Sequence, residues 1–137
     1  MAKSETLGLE IEMPVSYAAA VERVTAALKQ EGFGVLTRID IHDAFKEKLG
    51  VEFREYSILG ACNPPLAHRA LSASPEVGLL LPCNVTVEAT SPDRATVRIV
   101  NPLEMMRMGA ADASPEVQAV ASEAAERLQR VAEALAA

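Results

Sequence analysis

Tryptophan is absent from the 137 residues, and two tyrosines and three phenylalanines are the whole aromatic complement, 4% of the chain. So few rings supply no platform for stacked bases. Basic residues are also scarce: thirteen Lys plus Arg face nineteen Asp plus Glu, for a net charge of -6. The densest basic cluster, Arg38, Lys46, Lys48 and Arg54, is interleaved with Asp40, Asp43, Glu47 and Glu52, so its charge cancels and no nucleic-acid partner is expected. Apolar runs such as Gly78-Leu79-Leu80-Leu81 fall far short of the roughly 20 residues that span a bilayer, and no membrane partner is expected. The opening Met-Ala-Lys-Ser-Glu lacks the apolar stretch of a secretory signal, which predicts a cytoplasmic location. Two cysteines make no disulfide scaffold, and in a reducing cytosol they are expected as free thiols. Glycine-rich phosphate loops, a Gly-x-Ser-x-Gly elbow and paired-carboxylate motifs are all missing.

What is present is ordinary globular composition, 50% apolar and 23% charged, in a length that suits one domain over 1–137. Leu7, Leu9, Ile11 and Met13 alternate with Gly8, Glu10 and Glu12, the pattern of a half-buried strand. Ser16 caps a helix predicted over 17–31, with Tyr17, Val21, Val24 and Leu28 on one stripe and Gly32 as the stop. Phe33 to Ile41 reads as a second strand, followed by a short helical turn around Phe45 and Leu49 that ends at Gly50. A third strand over 56–61 runs into Pro64-Pro65, which start a two-turn helix over 66–73, and Val77 to Leu81 is a second short helical piece. Two further strands, one around Val85 and Val87 and one over 95–100, form a hairpin. One or two helical turns over 103–108 and a small-residue linker over 109–113 precede a long helix over 116–136, introduced by Ser114-Pro115-Glu116.

The order predicts an α+β fold: strand, long helix, four mostly antiparallel strands with short helical inserts, and a long C-terminal helix, both long helices covering one sheet face. The opposite face, assigned Tyr56, Ile58, Val85 and Val87 with the small Ala61 and Ala89, is expected to be covered in a two-fold homodimer.

One dipeptide recurs in like settings, Gly60-Ala61-Cys62-Asn63-Pro64 and Leu81-Pro82-Cys83-Asn84-Val85, each time at a strand terminus beside proline. If the strands are antiparallel neighbours, Cys62 and Cys83 meet at one end of the sheet. If the intervening segment is instead a crossover between parallel strands, they lie at opposite ends, roughly 15–20 Å apart. The candidate ligand-binding or redox residues are Cys62, Asn63, His68, Cys83 and Asn84. Two readings follow: a small-ligand-binding or thiol/redox-responsive homodimer, or a small enzyme with Cys62 as nucleophile and His68 as base. The bland alternative treats both thiols as small buried hydrophobes and both asparagines as turn formers. The Cys and His spacing matches no standard zinc pattern, so no metal is assigned, and no motif names a cofactor or a small-molecule ligand. His42, between Asp40 and Asp43, reads as a residue of a wet turn. Met105, Met106 and Met108 cannot share one helical face and read as core or contact residues rather than a soft-metal cluster.

The runs Lys46-Glu47-Lys48-Leu49-Gly50-Val51, Leu59-Gly60-Ala61-Cys62-Asn63-Pro64 and Gly78-Leu79-Leu80-Leu81-Pro82-Cys83-Asn84-Val85, with Glu104-Met105-Met106, resemble the bacterial and archaeal family called domain of unknown function 302. The resemblance covers about residues 7–107. It implies a small cytoplasmic α+β domain with a TATA-binding-protein-like layout, often homodimeric and without an agreed activity, whose signature positions are Cys62, Asn63, Pro64, Pro82 and Cys83. The chain departs from the family pattern at Asn101, where an acidic residue often stands.

Overall fold

The computed structural model describes residues 2–4, 7–107 and 114–137; the linker expected over 109–113 and Met108 lie outside the described residues. The chain runs β1 (Ala2–Ser4), β2 (Gly8–Met13), α1 (Tyr17–Gln30), β3 (Gly34–Asp40), α2 (Ile41–Leu49), β4 (Tyr56–Cys62), α3 (Pro64–Ala73), a 3-10 turn (Pro75–Leu80), β5 (Cys83–Ser91), β6 (Arg94–Val100), α4 (Pro102–Met106) and α5 (Pro115–Ala136). The strands form one sheet in the order β1-β2-β6-β5-β4-β3, with every neighbouring pair antiparallel. This is the expected α+β architecture, with two differences. A short edge strand, β1, precedes the first strand read from the sequence, and the turn around Phe45 is a nine-residue helix beginning directly at Ile41. No helix among the described residues is long and apolar enough to cross a membrane.

Local chemistry sets the helix limits. Ser16 accepts a hydrogen bond from the Ala19 amide at 3.2 Å, and Ser114 accepts one from Val117 at 3.3 Å, satisfying donors that the first helical turn leaves free. Gly32 ends α1 at a φ of +86°, a conformation that favours glycine, and lets Phe33 N–H reach back to Leu28 C=O at 2.9 Å. The stripes Tyr17, Ala20, Val21, Val24, Leu28 on α1 and Val117, Val120, Ala121, Ala124, Leu128, Val131, Ala132 on α5 are buried, and both helices pack on the same face of the sheet.

Register sorts the strand residues. Leu9, Ile99, Val85 and Leu59 form one cross-strand row, and Ile11, Val97, Val87 and Ser57 the next, all on the helix-covered face. Val85, Val87 and Ala61 are therefore fully buried core residues, which corrects their expected place on an outer apolar face. A one-residue difference in register moves a side chain to the other side of a sheet, and the sequence pattern does not fix that parity between strands.

Tyr56 and Ile58 do lie on the outer face, beside Glu10, Glu12, Thr86, Glu88, Thr96 and Arg98. Arg98 donates to Glu88 at 2.7 Å and to Glu10 at 3.2 Å, Arg54 also pairs with Glu88, and Thr96 donates to Glu12 at 2.8 Å. This face carries its own ion pairs and is not the apolar patch expected from the sequence.

Burial pushes the Glu88 carboxyl up, but the hydrogen bonds and charges of Arg98 and Arg54 outweigh it and hold Glu88 below the usual carboxylate range. A carboxylate whose folded value is depressed stabilises the fold above its ordinary pKa, and that stability is lost as pH falls through the lowered value. Both arginines are about half exposed, so solvent screens the pairs. Glu88→Gln is expected to cost about 1–2 kcal/mol at pH 7 and to flatten the acid limb between pH 5 and 3, measured by urea unfolding across pH. An unchanged acid limb would assign that loss of stability to other groups.

Candidate functional site

β4 ends at Cys62, and Asn63 immediately caps α3, accepting from Leu66 N–H at 3.4 Å and donating through Nδ2 to the Glu31 carbonyl at 3.3 Å. The chain returns through the 3-10 turn and a cis Leu81–Pro82 peptide to start β5 at Cys83. Ala61 lies opposite Cys83 in the antiparallel β4–β5 ladder, so Cys62 stands one position beyond that pair and shares the parity of Gly60 and Asn84, not that of Cys83. The antiparallel-neighbour arrangement is the one observed, and the parallel crossover is excluded.

Cys62 and Cys83 both border one small cavity of about 40 Å³ at the end of the sheet beside α3, α4 and α5. Phe33, Leu66, Leu81 and Val120 supply apolar walls, and Met106 of α4, itself buried, faces the same space. Among the described residues no charged side chain lines it. Burial raises the Cys62 thiol above its ordinary value, while burial and then the charge of nearby Cys62 push Cys83 up to about 11. Both cysteines are free thiols.

The other candidates separate. His68 is exposed on α3 and does not line the cavity. Asn84 follows Cys83 on β5 and so faces the opposite side of the sheet, where it is exposed in an open cleft of about 640 Å³ with Tyr56, Thr86 and Arg98. Asn63 is buried and spends its amide on capping α3 and tying it to the end of α1. The Asn-Pro-Pro sequence is itself a helix-start signal that points to this structural role. His42 accepts the Tyr56 backbone N–H at 3.0 Å through Nδ1 and is likewise structural. Sequence reasoning missed Met106, because three methionines in four positions carry no helical phase until α4 is placed.

The family profile described as "Domain of unknown function DUF302" matches residues 9–135. The chain belongs to the DUF302 family. The match takes in α5, well beyond the blocks legible in the sequence. The fold is also similar to a solved structure described as the crystal structure of uncharacterized conserved protein DUF302 from Bacillus stearothermophilus. The two share 26% identity and a TM-score of 0.83, over 96% of this chain and 99% of that one. No curated protein matches this DUF302 chain.

The raised thiols make a measurable signature. Alkylation by iodoacetamide, read by mass spectrometry against pH, should modify Cys62 before Cys83, with Cys83 reacting by a titration centred near 11, because only the thiolate attacks. A thiol whose folded value is raised leaves stability intact below the ordinary thiol range and loses it as pH rises from there through about 11, so the fold should weaken in strong alkali. Rapid modification of both thiols at pH 6 would contradict the burial that raises them.

Proposed function

We propose that this DUF302 domain is a thiol-responsive binding domain whose working element is the proximal dithiol Cys62–Cys83, and not an enzyme using Cys62 as nucleophile. The observation that carries the reading is that two cysteines with free thiols, one at the end of β4 and one at the start of β5, both border one cavity. A nucleophilic cysteine needs a thiolate near neutral pH and a base within about 3 Å. Here burial favours the neutral thiol, and the only histidine near in sequence stands outside the cavity. Two adjacent neutral thiols suit instead a slow, reversible change: two S–H bonds are lost, one S–S bond forms, and two electrons and two protons pass to a disulfide oxidant.

Equilibration with oxidised glutathione tests the reading. One glutathione disulfide per chain should be reduced to two thiols, leaving an intramolecular protein disulfide, no free cysteine and no adduct, at a rate that climbs with pH. Stable glutathione adducts on either cysteine, or two persistent free thiols under strongly oxidising poise, would refute it.

A further inference from the structure

We propose that the cleft of about 640 Å³ on the outer sheet face binds one uncharged, largely apolar small molecule by a carbonyl oxygen. The inference concerns the face opposite the long helices and stands apart from the dithiol reading. Gly8 pairs with Val100 across β2 and β6 and brings no side chain to the sheet surface there, which helps to open the hollow. Leu7, Val100 and Met105 supply its apolar surface, and Leu7 is 66% exposed.

Polar groups without partners border the same space. Among the described residues, Thr86 Oγ1 is the one buried side-chain polar atom with no hydrogen bond, and Thr86 lines the cleft. A hydroxyl left both dry and unpaired is unfavourable, so a partner from outside the chain is favoured at this point. One staggered step about χ1 exchanges the positions of its hydroxyl and its methyl group. Arg98, directly opposite Thr86 on β6, donates Nε to Glu10 at 3.2 Å and Nη1 to Glu88 at 2.7 Å, which leaves both N–H bonds of Nη2 uncommitted. The Asn84 amide and the Tyr56 hydroxyl also line the cleft, and neither has a hydrogen-bond partner among the described residues. All four groups can donate, and the guanidinium can do nothing else, so the ligand must present an acceptor.

Charge decides which acceptor. Glu10 and Glu88 already flank Arg98, and Glu10 lines the cleft as well. An anion at Nη2 would stand beside two carboxylates, whereas a cation would face the guanidinium. A neutral carbonyl meets neither penalty. The volume falls within the roughly 300–1,000 Å³ of small-molecule sites, which leaves room for a ring system over Leu7, Val100 and Met105.

The test is fluorescence titration of the full reduced chain with prodan, an uncharged dimethylaminonaphthalene ketone whose emission moves to shorter wavelength as it leaves water. Saturable binding of one prodan per chain is expected, with amide shifts in nuclear magnetic resonance centred on Asn84, Thr86 and Arg98. The matching naphthoate and the parent amine lacking the acyl group should each displace prodan at least about tenfold less well. Thr86→Val keeps the side-chain shape and removes an unpaired hydroxyl, so it should fold at least as stably as the natural chain yet bind prodan about fivefold more weakly. Leu49→Ser removes an apolar group that is 68% exposed on α2 and outside the cleft, and it should leave binding unchanged. No saturable binding, shifts centred elsewhere, or equal displacement by the naphthoate or the parent amine would overturn the carbonyl site. Undiminished affinity in Thr86→Val, or loss of binding in Leu49→Ser, would overturn it equally.

Discussion

Leu59→Ala should destabilise the domain by about 3–5 kcal/mol and lower its melting temperature by roughly 10 °C or more. Leu59 is 1% exposed in the middle of β4, where it meets Val85 across the ladder and completes the row Leu9–Ile99–Val85–Leu59 beneath the two long helices. Truncation removes the transfer free energy of the lost methyl and methylene groups and leaves a void that close-packed neighbours cannot fill. β-strand backbones on both sides, β3 and β5, hold the site open, so little collapse can offset the loss. Denaturant unfolding followed by far-ultraviolet circular dichroism measures it. A cost under about 1 kcal/mol would mean that this row is not the centre of the core.

Gly60→Val should cost less stability, about 2–3 kcal/mol, but act more sharply on the site. A Cβ at Gly60 would fall on Thr37 Oγ1 and stand 2.8 Å from Pro82 Cγ. Thr37 can turn its hydroxyl away, whereas the ring of Pro82 is rigid and joined directly to Cys83. Relief must therefore come from moving the start of β5, which separates Cys83 from Cys62. Glutathione-driven disulfide formation should slow by at least about tenfold, an expected barrier increase of roughly 1.4 kcal/mol or more. Gly34, opposite Cys62 in the β3–β4 ladder, is the natural control: an added Cβ meets nothing within 4 Å and its φ is not positive. Gly34→Ala should be neutral or stabilise by up to about 1 kcal/mol by reducing the freedom of the unfolded chain. If the two variants oxidise alike, close packing of Pro82 on Gly60 does not control the dithiol.

Much of the architecture is legible because burial imposes a period. Tyr17, Val21, Val24 and Leu28 announce α1, and Val117, Val120, Ala124, Leu128 and Val131 announce α5, since only one face of each helix meets the sheet. β1 leaves no such mark: Ala2–Ser4 is three residues on a sheet edge, too short for any alternation to show. The parity of β5 relative to β4 is equally silent. Tyr56 and Ile58 look like companions of Val85 and Val87, yet Val85 pairs with Leu59 and Val87 with Ser57, so the valines turn inward while Tyr56 and Ile58 turn outward. Within the site, the repeated Cys-Asn dipeptide locates the right end of the sheet, but alternation sends Cys83 and Asn84 to opposite faces. Cys62 and Cys83 are found by reading strand ends. Met106 is fixed only by how α4 docks between α5 and the end of the sheet, a tertiary outcome that no local pattern encodes.

Phenylarsine oxide measures the central claim, the closeness of two reduced thiols, without oxidising either. The reagent exchanges its oxygen for two sulfurs of one dithiol and releases water, so stable capture requires both thiols to reach one arsenic atom. The reduced chain should take up one phenylarsenic group, survive excess monothiol and release it to a small dithiol, while Cys62→Ser and Cys83→Ser each bind none that survives the monothiol wash. Absence of capture by the folded wild-type chain, or capture that persists in either single-cysteine variant, would contradict the shared site.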